Sequence, residues 1–361
     1  MKLSKIKNHI KKKFFLQTPS LLISKKKETK LFKNLKYIRI DKEDLISKKK
    51  DFFNYINSFG TLNADKTFYI IKREPGTGLF SNLTFVLNHL KIAKINNFIP
   101  FVDMENFYSI YNEEKSIKST SNAWEYYFKN LSEFKIEEIY KSKNVLITEN
   151  TFYKFFDYSI NSNNLISIFN NEIFLKENLS KLINKIKKNI FKNKKILAIH
   201  FRGTSYKQSP GHPFPATKKQ MIELTKEILN KENIDLIFLS TEEKNYLNIF
   251  KKKFPKQLFY LESSYRSDKN DAFKIYPRNN HRYKLGKEIL IETYLMSFAD
   301  YFVYVDSNVS KVVLALNKNK NTKNIIIENG YNSRSELVSP WAWYVKKNLP
   351  IFLGGFKRIK F

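Results

Sequence analysis

The chain has 361 residues, 42% of them hydrophobic, with 32 Phe and 21 Tyr, which excludes an intrinsically disordered protein. Its formal net charge is +31, but only eight of its 65 basic residues are Arg. This composition weakens a role in reading nucleic-acid bases, because base recognition relies on the bidentate Arg side chain. The absence of Cys excludes disulfides, cysteine nucleophiles and thiolate metal ligands.

Residues 1–55 are predicted to form a basic N-terminal extension. Residues 1–50 carry 17 Lys or Arg against four Asp or Glu. The first part, MKLSKIKNHIKKKFFLQTPSLLI, is equally compatible with a basic amphipathic element on a membrane surface and with a solvated tail. It lacks the cleavage site of a secretory signal, and no apolar run reaches the ~18–20 residues of a spanning helix. We therefore expect a cytoplasmic protein, with the inner membrane surface as an alternative location.

From about residue 60 onward, short apolar runs alternate with helix-like segments. Several runs are apolar on both faces, which is typical of buried parallel strands. The alternation predicts an α/β fold with right-handed crossovers. The predicted strands are 67–73, 98–104, 144–148, 195–201, 234–240, 258–262, 300–306 and 324–328, and the predicted helices are 82–96, 177–193, 217–231, 242–254 and 286–299.

The length is suited to two domains, and the Lys- and Asn-rich stretch before residue 195 is the natural boundary. We predict two Rossmann-like α/β domains that face a cleft. The first would span residues 56–185 and the second residues 186–335. Residues 336–361 are predicted as an aromatic C-terminal helix that packs back on the first domain.

The strongest candidate site follows the predicted strand 195–201. Open α/β sheets bind ligands beyond the carboxyl ends of their strands. Arg202 stands there in a sequence that otherwise uses Lys, which indicates that a planar fork is needed, as for a phosphate. Gly203 allows a close approach of the backbone, and His200 points to the same face as Arg202. The alternative is a buried histidine beside a structural Arg.

Two later strands also end in polar residues. Glu242 and Glu243 follow strand 234–240, where they suit either the first turn of a helix or a contact to a base or ribose. Ser307 and Asn308 open a helix after strand 300–306, where free backbone N–H groups suit a phosphate.

Further candidates lie on two helices. Gly78 and Asn82 form a strand, glycine turn and helix junction, which is either an ordinary helix start or an anion site. Glu292 lies among apolar neighbours, where it either binds the paired N–H donors of guanine or belongs to a solvated helix face with Glu288. Together the candidates of the second domain predict a nucleoside-diphosphate pocket. No metal-binding motif such as DxD or HExxH is present, so we expect phosphate charge to be neutralised by Arg and backbone N–H groups.

These motifs resemble those of the GDP-fucose-dependent fucosyltransferase superfamily, which includes the α-1,6-fucosyltransferases and the protein O-fucosyltransferases. The resemblance extends over roughly residues 74–312. HFRGTSY is similar to the motif His-x-Arg-Arg/Gly-Thr-Asp, and FLSTEE to a strand followed by Thr-Asp-Asp. IETYLMSFADYFVYVDSNVS is similar to an Asp-x-x-x-x-Ser-x-Ala-Asp segment that runs into Ser-Gln-Val, and GLFSN to a Gly-x-x-x-Asn turn.

The resemblance implies that Arg202 contacts the donor β-phosphate and acts in catalysis, and that Glu292 reads guanine. Two departures from the motif are Gly203, where the α-1,6 enzymes have a second Arg, and Ser205, where the motif has Asp. The predicted donor-binding residues are His200, Gly203, Thr204, His212, Glu242, Glu243, Glu292, Ser307, Asn308, Gly78 and Asn82.

The resemblance further implies an inverting, metal-independent transferase of the GT-B fold without a cofactor. It would move a sugar, fucose from GDP-fucose, to a glycan or lipid-linked acceptor in bacterial surface polysaccharide or glycoconjugate synthesis. A carboxylate of the first domain would deprotonate the acceptor, with Glu74, Asp103, Glu105 and Asp157 as candidates. The alternatives are a basic nucleic-acid-binding protein and an inactive glycan-binding module on a transferase fold.

Overall fold

The computed structural model describes residues 38–40, 56–73, 75–148, 160, 163–269, 271–318 and 321–361. The predicted basic extension therefore lies outside the described residues, apart from one short strand. Glu74 and Asp157, two of the candidate carboxylates, lie outside them as well.

The chain divides into two compact units, and their bounds differ from the predicted domains. The first unit combines Met1–Glu177 with Phe273–Gly286, and the second combines Asn178–Ala272 with Lys287–Phe361. The boundary predicted at residue 185 lies at residue 177, because the helix that follows belongs to the second unit. Nothing in the pattern of residues 273–286 predicts that this segment belongs to the first unit.

The first unit contains a mixed five-stranded sheet in the order β1–β2–β5–β3–β4. Its central strand, β3, pairs in parallel with β4 and β5, whereas β2 is antiparallel to β1 and β5. All four residues of β3 are buried, as the apolar run predicts. The strands are β1 (Ile38–Ile40), β2 (Ile56–Ser58), β3 (Phe68–Ile71), β4 (Ile99–Val102) and β5 (Val145–Ile147). The helices are α1 (Leu79–Ile95), α2 (Ile136–Ile139) and α3 (Asn163–Glu172).

The segment 273–286 completes the core of the first unit. The backbone N–H of Tyr283 donates to Glu113 Oε1 at 2.8 Å, and the hydroxyl of Tyr276 donates to the other carboxylate oxygen. The hydroxyl of Tyr127 donates to the carbonyl of Tyr283 at 3.0 Å, and the two rings stack. A Cβ at Gly286 would collide with the ring of Tyr127, so only glycine allows this close approach. The segment therefore supplies partners for a buried carboxylate and a buried phenol.

The second unit contains a five-stranded parallel sheet in the order β10–β9–β6–β7–β8. Its first strand, β6, lies in the centre, and the strand order reverses between β6 and β9, as in a doubly wound sheet. The strands are β6 (Ile196–His200), β7 (Leu236–Ser240), β8 (Leu258–Phe259), β9 (Tyr301–Tyr304) and β10 (Lys323–Ile326). The helices are α4 (Glu177–Ile186), α5 (Lys218–Lys231), α6 (Lys244–Lys253), α7 (His281–Met296), α8 (Asn308–Asn317) and α9 (Ser339–Asn348). The first residues of α7, up to Gly286, belong to the first unit.

The core of this unit consists of the apolar residues of its central strands and of the helices beside them. Leu197, Ile199, Ile237, Leu239 and Val303 are all buried in one cluster. These strands are buried on both faces because helices connect successive parallel strands. The predicted α/β class with two units is confirmed, whereas the predicted cleft between them stays a prediction.

The C-terminal segment packs within the second unit. Trp343 Nε1 donates to the carbonyl of Pro215 at 2.9 Å, and Gln220 Nε2 donates to the carbonyl of Lys357 at 2.7 Å. The sequence analysis placed this segment on the first domain, whereas these contacts are with the second unit. None of the helices that the structure describes has the length and apolar character of a membrane-spanning segment.

Candidate functional site

The reversal of strand order in the second unit brings two of the predicted sites to the same edge. β6 and β9 are neighbours, with Ile199 paired to Val303. The chain leaves β6 toward β7 and leaves β9 toward β10, so the two connections diverge at the carboxyl ends of the strands. A crevice at such a point is the usual ligand site of an open α/β sheet. Arg202 follows β6, and Ser307 follows β9.

Arg202 keeps part of its guanidinium accessible, with 28% of its side chain exposed. Its Nη2 donates to Ser205 Oγ at 3.3 Å, and its Nε lies 3.8 Å from Glu242 Oε1. The guanidinium carbon lies 4.6 Å from the centroid of the Tyr206 ring. Nε is buried and has no hydrogen-bond partner among the described residues, so the donors that a ligand can reach are those of the two terminal nitrogens.

Glu242 and Glu243 hold the turn that carries Arg202. Glu242 Oε1 accepts from the backbone N–H of Gly203 at 2.9 Å and from Thr204 Oγ1 at 3.3 Å. Glu243 Oε1 accepts from the N–H of Thr204 at 2.5 Å and forms a buried ion pair with Lys207. Glu243 is the N-cap residue of α6, but its side chain makes no capping hydrogen bond to that helix. Lys207 was missed by the sequence analysis, because nothing distinguishes it among 57 Lys residues.

The two carboxylates differ in their pKa. Burial raises the pKa of Glu242, but Arg202 and the N–H of Gly203 outweigh burial and leave this pKa below its ordinary value. Burial raises the pKa of Glu243 above its ordinary value, although Lys207 acts in the opposite direction. Glu242 therefore supplies a stable negative charge beside Arg202.

The packing around Gly203 explains one departure from the resembled motif. A Cβ at this position would collide with the Glu243 carboxylate. That carboxylate is buried and held by Thr204 and Lys207, so it has little freedom to move. The turn therefore has no room for the second Arg of the α-1,6 enzymes.

His200 lies beneath this turn at the end of β6. It is buried, and its Nδ1 has no hydrogen-bond partner within the part of the chain that the structure describes. Burial first and Arg202 second lower its pKa to about 4. The predicted donor-binding His200 is therefore a neutral, buried residue. His212 is exposed, and its ring lies 4.8 Å from that of Tyr206.

The titration of His200 predicts a loss of stability in mild acid. Its pKa is about 4 in the folded protein and about 6.5 when unfolded, so between these values the unfolded chain binds a proton that the folded protein excludes. The free energy of unfolding should therefore fall as the pH drops, by about 2 kcal/mol per such histidine from pH 7 to pH 5. Urea unfolding of His200→Gln should show about that much less pH dependence than the parent protein, and an unchanged pH dependence would contradict this prediction.

Glu292 has partners within the protein. It is buried, and its carboxylate accepts from Ser240 Oγ and from Ser264 Oγ, each at 2.6 Å. Arg266 Nη2 lies 3.6 Å from Glu292 Oε1. Burial raises the pKa of Glu292, although Arg266 and the serine hydroxyls oppose this shift. The interpretation as a solvated helix face is wrong, because Glu288 and Glu292 are both buried. Each Glu292 oxygen already accepts one serine hydroxyl, so a bound guanine would share the carboxylate with Ser240 and Ser264.

Arg266 is a residue that the sequence analysis missed. Its side chain is buried, and Nη1 donates to the carbonyls of Leu261 and Ser264 at 3.0 and 2.9 Å. The scarcity of Arg singled out Arg202, and the same signal would have pointed to Arg266. Together with Glu292 it joins the loop after β8 to α7.

Ser307 and Ser310 cap the start of α8. Ser307 Oγ accepts from the N–H of Ser310 at 3.1 Å, and Ser310 Oγ accepts from the N–H of Ser307 at 2.9 Å. Asn308 is the first residue of the helix and is partly exposed. The Ser307 hydroxyl is occupied by the cap, so what this helix end offers an anion is the positive end of its dipole and the N–H groups of its first turn.

The candidates of the first unit surround its own strand ends. Gly78 precedes α1, and the buried Asn82 accepts from the N–H of Thr77 at 3.0 Å through Oδ1, while its Nδ2 has no partner in the described residues. Asp103 is buried, and both of its oxygens accept hydrogen bonds from Glu105, Asn106 and Tyr140 at 2.7–3.0 Å. Asp103 therefore organises a turn and is a poor candidate for the base, whereas Glu105 is partly exposed.

No group of three or more His, Asp or Glu residues in the described ranges is arranged to hold a metal ion. The expectation of metal-independent chemistry stays a prediction.

No family model and no curated protein matches this chain. Its structure resembles solved structures of fucosyltransferases. NodZ α-1,6-fucosyltransferase co-crystallised with GDP has a TM-score of 0.45 and 13% identity, over 69% of this chain and 92% of that one. Fucosyltransferase NodZ from Bradyrhizobium has a TM-score of 0.42 and 13% identity, over 69% and 92% of the two chains. POFUT1 in complex with GDP has a TM-score of 0.42 and 11% identity, over 72% of this chain and 99% of that one.

Proposed function

We propose that this protein is a glycosyltransferase that uses a GDP-sugar, with fucose as the transferred sugar and a glycan or lipid-linked saccharide as the acceptor. The observation that carries the proposal is the position of Arg202. A partly exposed guanidinium ends the central strand of a parallel sheet at the reversal of strand order, beside the N-terminus of α8. This combination of a cationic fork and free N–H donors suits a diphosphate.

In the proposed reaction, the bond between the sugar C1 and the β-phosphate oxygen breaks, and its electron pair leaves with GDP. The acceptor oxygen forms a new bond to C1 from the opposite face, so that the configuration inverts. Arg202 and the first turn of α8 stabilise the charge that develops on the departing diphosphate. A carboxylate takes the acceptor proton, and Glu105, Glu74 and Asp157 are the candidates.

Glu242 and Glu243 support this role by positioning the turn rather than by contacting the nucleoside. Their hydrogen bonds to Gly203 and Thr204 fix the backbone directly after Arg202. A group held in place before the reaction need not reorganise during it, which is the main source of electrostatic catalysis.

A role in nucleic-acid recognition is less well supported. Arg73 and Arg282 are buried in the first unit, and the side chain of Arg266 is buried in the second. These residues cannot serve as surface forks for bases or phosphates. An inactive glycan-binding protein with the same fold would not turn over a sugar donor, so a turnover assay distinguishes it from the proposed enzyme.

Calorimetric titration with GDP in EDTA tests the proposal, with UDP and CMP as matched controls. We expect GDP to bind without metal and more tightly than the other two nucleotides. Binding of UDP in preference to GDP would retain a transferase but exclude fucose and a guanine-reading role of Glu292. The absence of nucleotide binding would contradict the proposed function.

A further inference from the structure

The C-terminal helix α9 exposes a stripe of apolar side chains to solvent. Leu337 and Trp341 are 86% and 69% exposed, and Val345 is exposed one turn further along. Trp341 and Val345 are four positions apart and share one face of the helix, and Leu337 lies in the turn that precedes it. Val338 and Tyr344 are exposed beside them. We call these five residues the C-terminal apolar face.

The opposite side of α9 is fixed to the second unit, so the helix cannot turn its apolar face inward. Ser339 and Trp343 are buried. Trp343 Nε1 donates to the carbonyl of Pro215, and the carbonyl of Ser339 accepts from Asn332 Nδ2 at 3.0 Å. The apolar face is therefore held outward by the packing of the other side.

The chain after α9 forms a short loop with a second group of exposed apolar residues. Ile351, Phe352 and Leu353 form one helical turn, and all three are exposed, Phe352 to 85%. We call them the apolar loop. The N–H groups of Leu353 and Gly355 both donate to the carbonyl of Pro350 at 3.0 Å, and Gly354 adopts φ 89°, which favours glycine.

The apolar loop is anchored on both sides. α9 precedes it, and after it the ring of Phe356 packs on Phe214 with the centroids 5.6 Å apart. This loop is held at both ends and carries aromatic and aliphatic side chains at its tip. It therefore loses little conformational entropy when it binds a partner. An exposed patch of this kind marks an interaction site.

The charge of the segment indicates the kind of partner. Residues 337–361 contain no Asp or Glu, and their basic residues are Lys346, Lys347, Lys357, Arg358 and Lys360. Apolar and aromatic side chains among basic residues are typical of elements that lie on anionic lipid surfaces. Trp and Tyr favour the interface between lipid and water. A second copy would bring like charges together on a chain whose net charge is already +31.

We propose that the C-terminal apolar face and the apolar loop dock this protein on an anionic lipid bilayer. The apolar side chains enter the interface, and Lys346 and Lys347 at the end of α9 contact the headgroups. α9 also packs against the turn after Arg202, with Lys207 Nζ 5.2 Å from the centroid of the Trp343 ring. Docking would therefore hold the candidate donor site close to the lipid surface.

Sedimentation of the full chain with vesicles tests this proposal. The vesicles contain phosphatidylcholine either alone or mixed with phosphatidylglycerol, and we expect binding only to the mixture. A second measurement uses lipids with brominated acyl chains, which quench Trp fluorescence on insertion. Trp124 and Trp343 are buried and Trp341 is exposed, so quenching reports on the apolar face. Trp341→Phe should bind and lose the quenching.

Matched variants separate the apolar and the electrostatic contributions. Phe352→Ser should weaken binding by about tenfold, because it removes an aromatic side chain from the interface. Lys347→Glu, at an exposed basic residue of α9, should weaken it by about tenfold. The controls are Ile95→Ser, an exposed apolar residue of α1, and Lys253→Glu, an exposed basic residue of α6, which should leave binding unchanged.

Three results would overturn the proposal. The first is no binding to the anionic vesicles. The second is binding without quenching of Trp341, which would place the contact elsewhere on this basic chain. The third is a chain that binds no vesicles but forms a dimer in light scattering, where Phe352→Ser abolishes the dimer. That result would show that the face is an interface between two copies.

Discussion

Arg202→Ala is expected to lower the rate of GDP-sugar turnover by about 10²- to 10³-fold, because it removes the cation that stabilises the departing diphosphate. The side chain is partly exposed and makes one described hydrogen bond, to Ser205. Glu242 keeps its hydrogen bonds to Gly203 and Thr204 in the variant. We therefore expect the free energy of unfolding to change by less than about 1 kcal/mol.

The measurement is release of GDP from GDP-fucose, combined with urea unfolding of the same samples. Arg202→Lys retains the charge but not the fork, so it should recover part of the GDP affinity and little of the turnover. Arg358→Ala, an exposed Arg of the same unit, is the matched control and should match the parent enzyme. Normal turnover by Arg202→Ala would refute the site.

Glu243→Ala is expected to destabilise the protein by about 3–5 kcal/mol, because it leaves the buried Lys207 charge without a partner. It also removes the acceptor from the backbone N–H of Thr204. The side chains of Glu243 and Lys207 are 5% and 12% exposed, so water cannot replace the lost partner.

The double variant Lys207→Met, Glu243→Leu tests whether the loss arises from the unpaired charge. Two apolar residues of similar volume leave no uncompensated charge, so this variant should be nearer in stability to the parent than either single variant. Urea unfolding of the four proteins gives the coupling energy. Single variants as stable as the parent would show that the ion pair does not fix the turn. GDP binding below the unfolding temperature should still be weakened in the double variant, because Thr204 has lost its acceptor.

Several strands could be predicted from the sequence because their apolar residues exceed what one face requires. β6 and β7 are buried at every position. The predicted strand 195–201 contains β6, and the predicted strand 234–240 contains β7. β1 and β2 were not predicted, because residues such as Asn57 and Ser58 give no apolar run and the two strands form by pairing with each other and, through β2, with β5. The placement of 273–286 depends on contacts to Glu113 and Tyr127, which lie far away in the sequence.

For the candidate site, the sequence indicated positions better than roles. Arg202 and Ser307 follow neighbouring strands, and the parallel order alone brings them to one edge. The role of Glu292 depends on Ser240 and Ser264, each more than 25 residues away, so its partners could not be predicted. The same is true of Glu243, whose partner Lys207 is 36 residues away.

The segment 273–286 also determines when the first unit can fold during synthesis. Residues up to Glu177 leave the ribosome first, but Glu113 and Tyr127 lack their partners until Gly286 has been made. At usual elongation rates this interval is roughly 5–20 seconds. Throughout that time a carboxylate and a phenol destined for burial stay hydrated, so the nascent first unit is incomplete. The core of the first unit is therefore completed only by residues 273–286, and a fragment that ends at residue 177 lacks this part of the core.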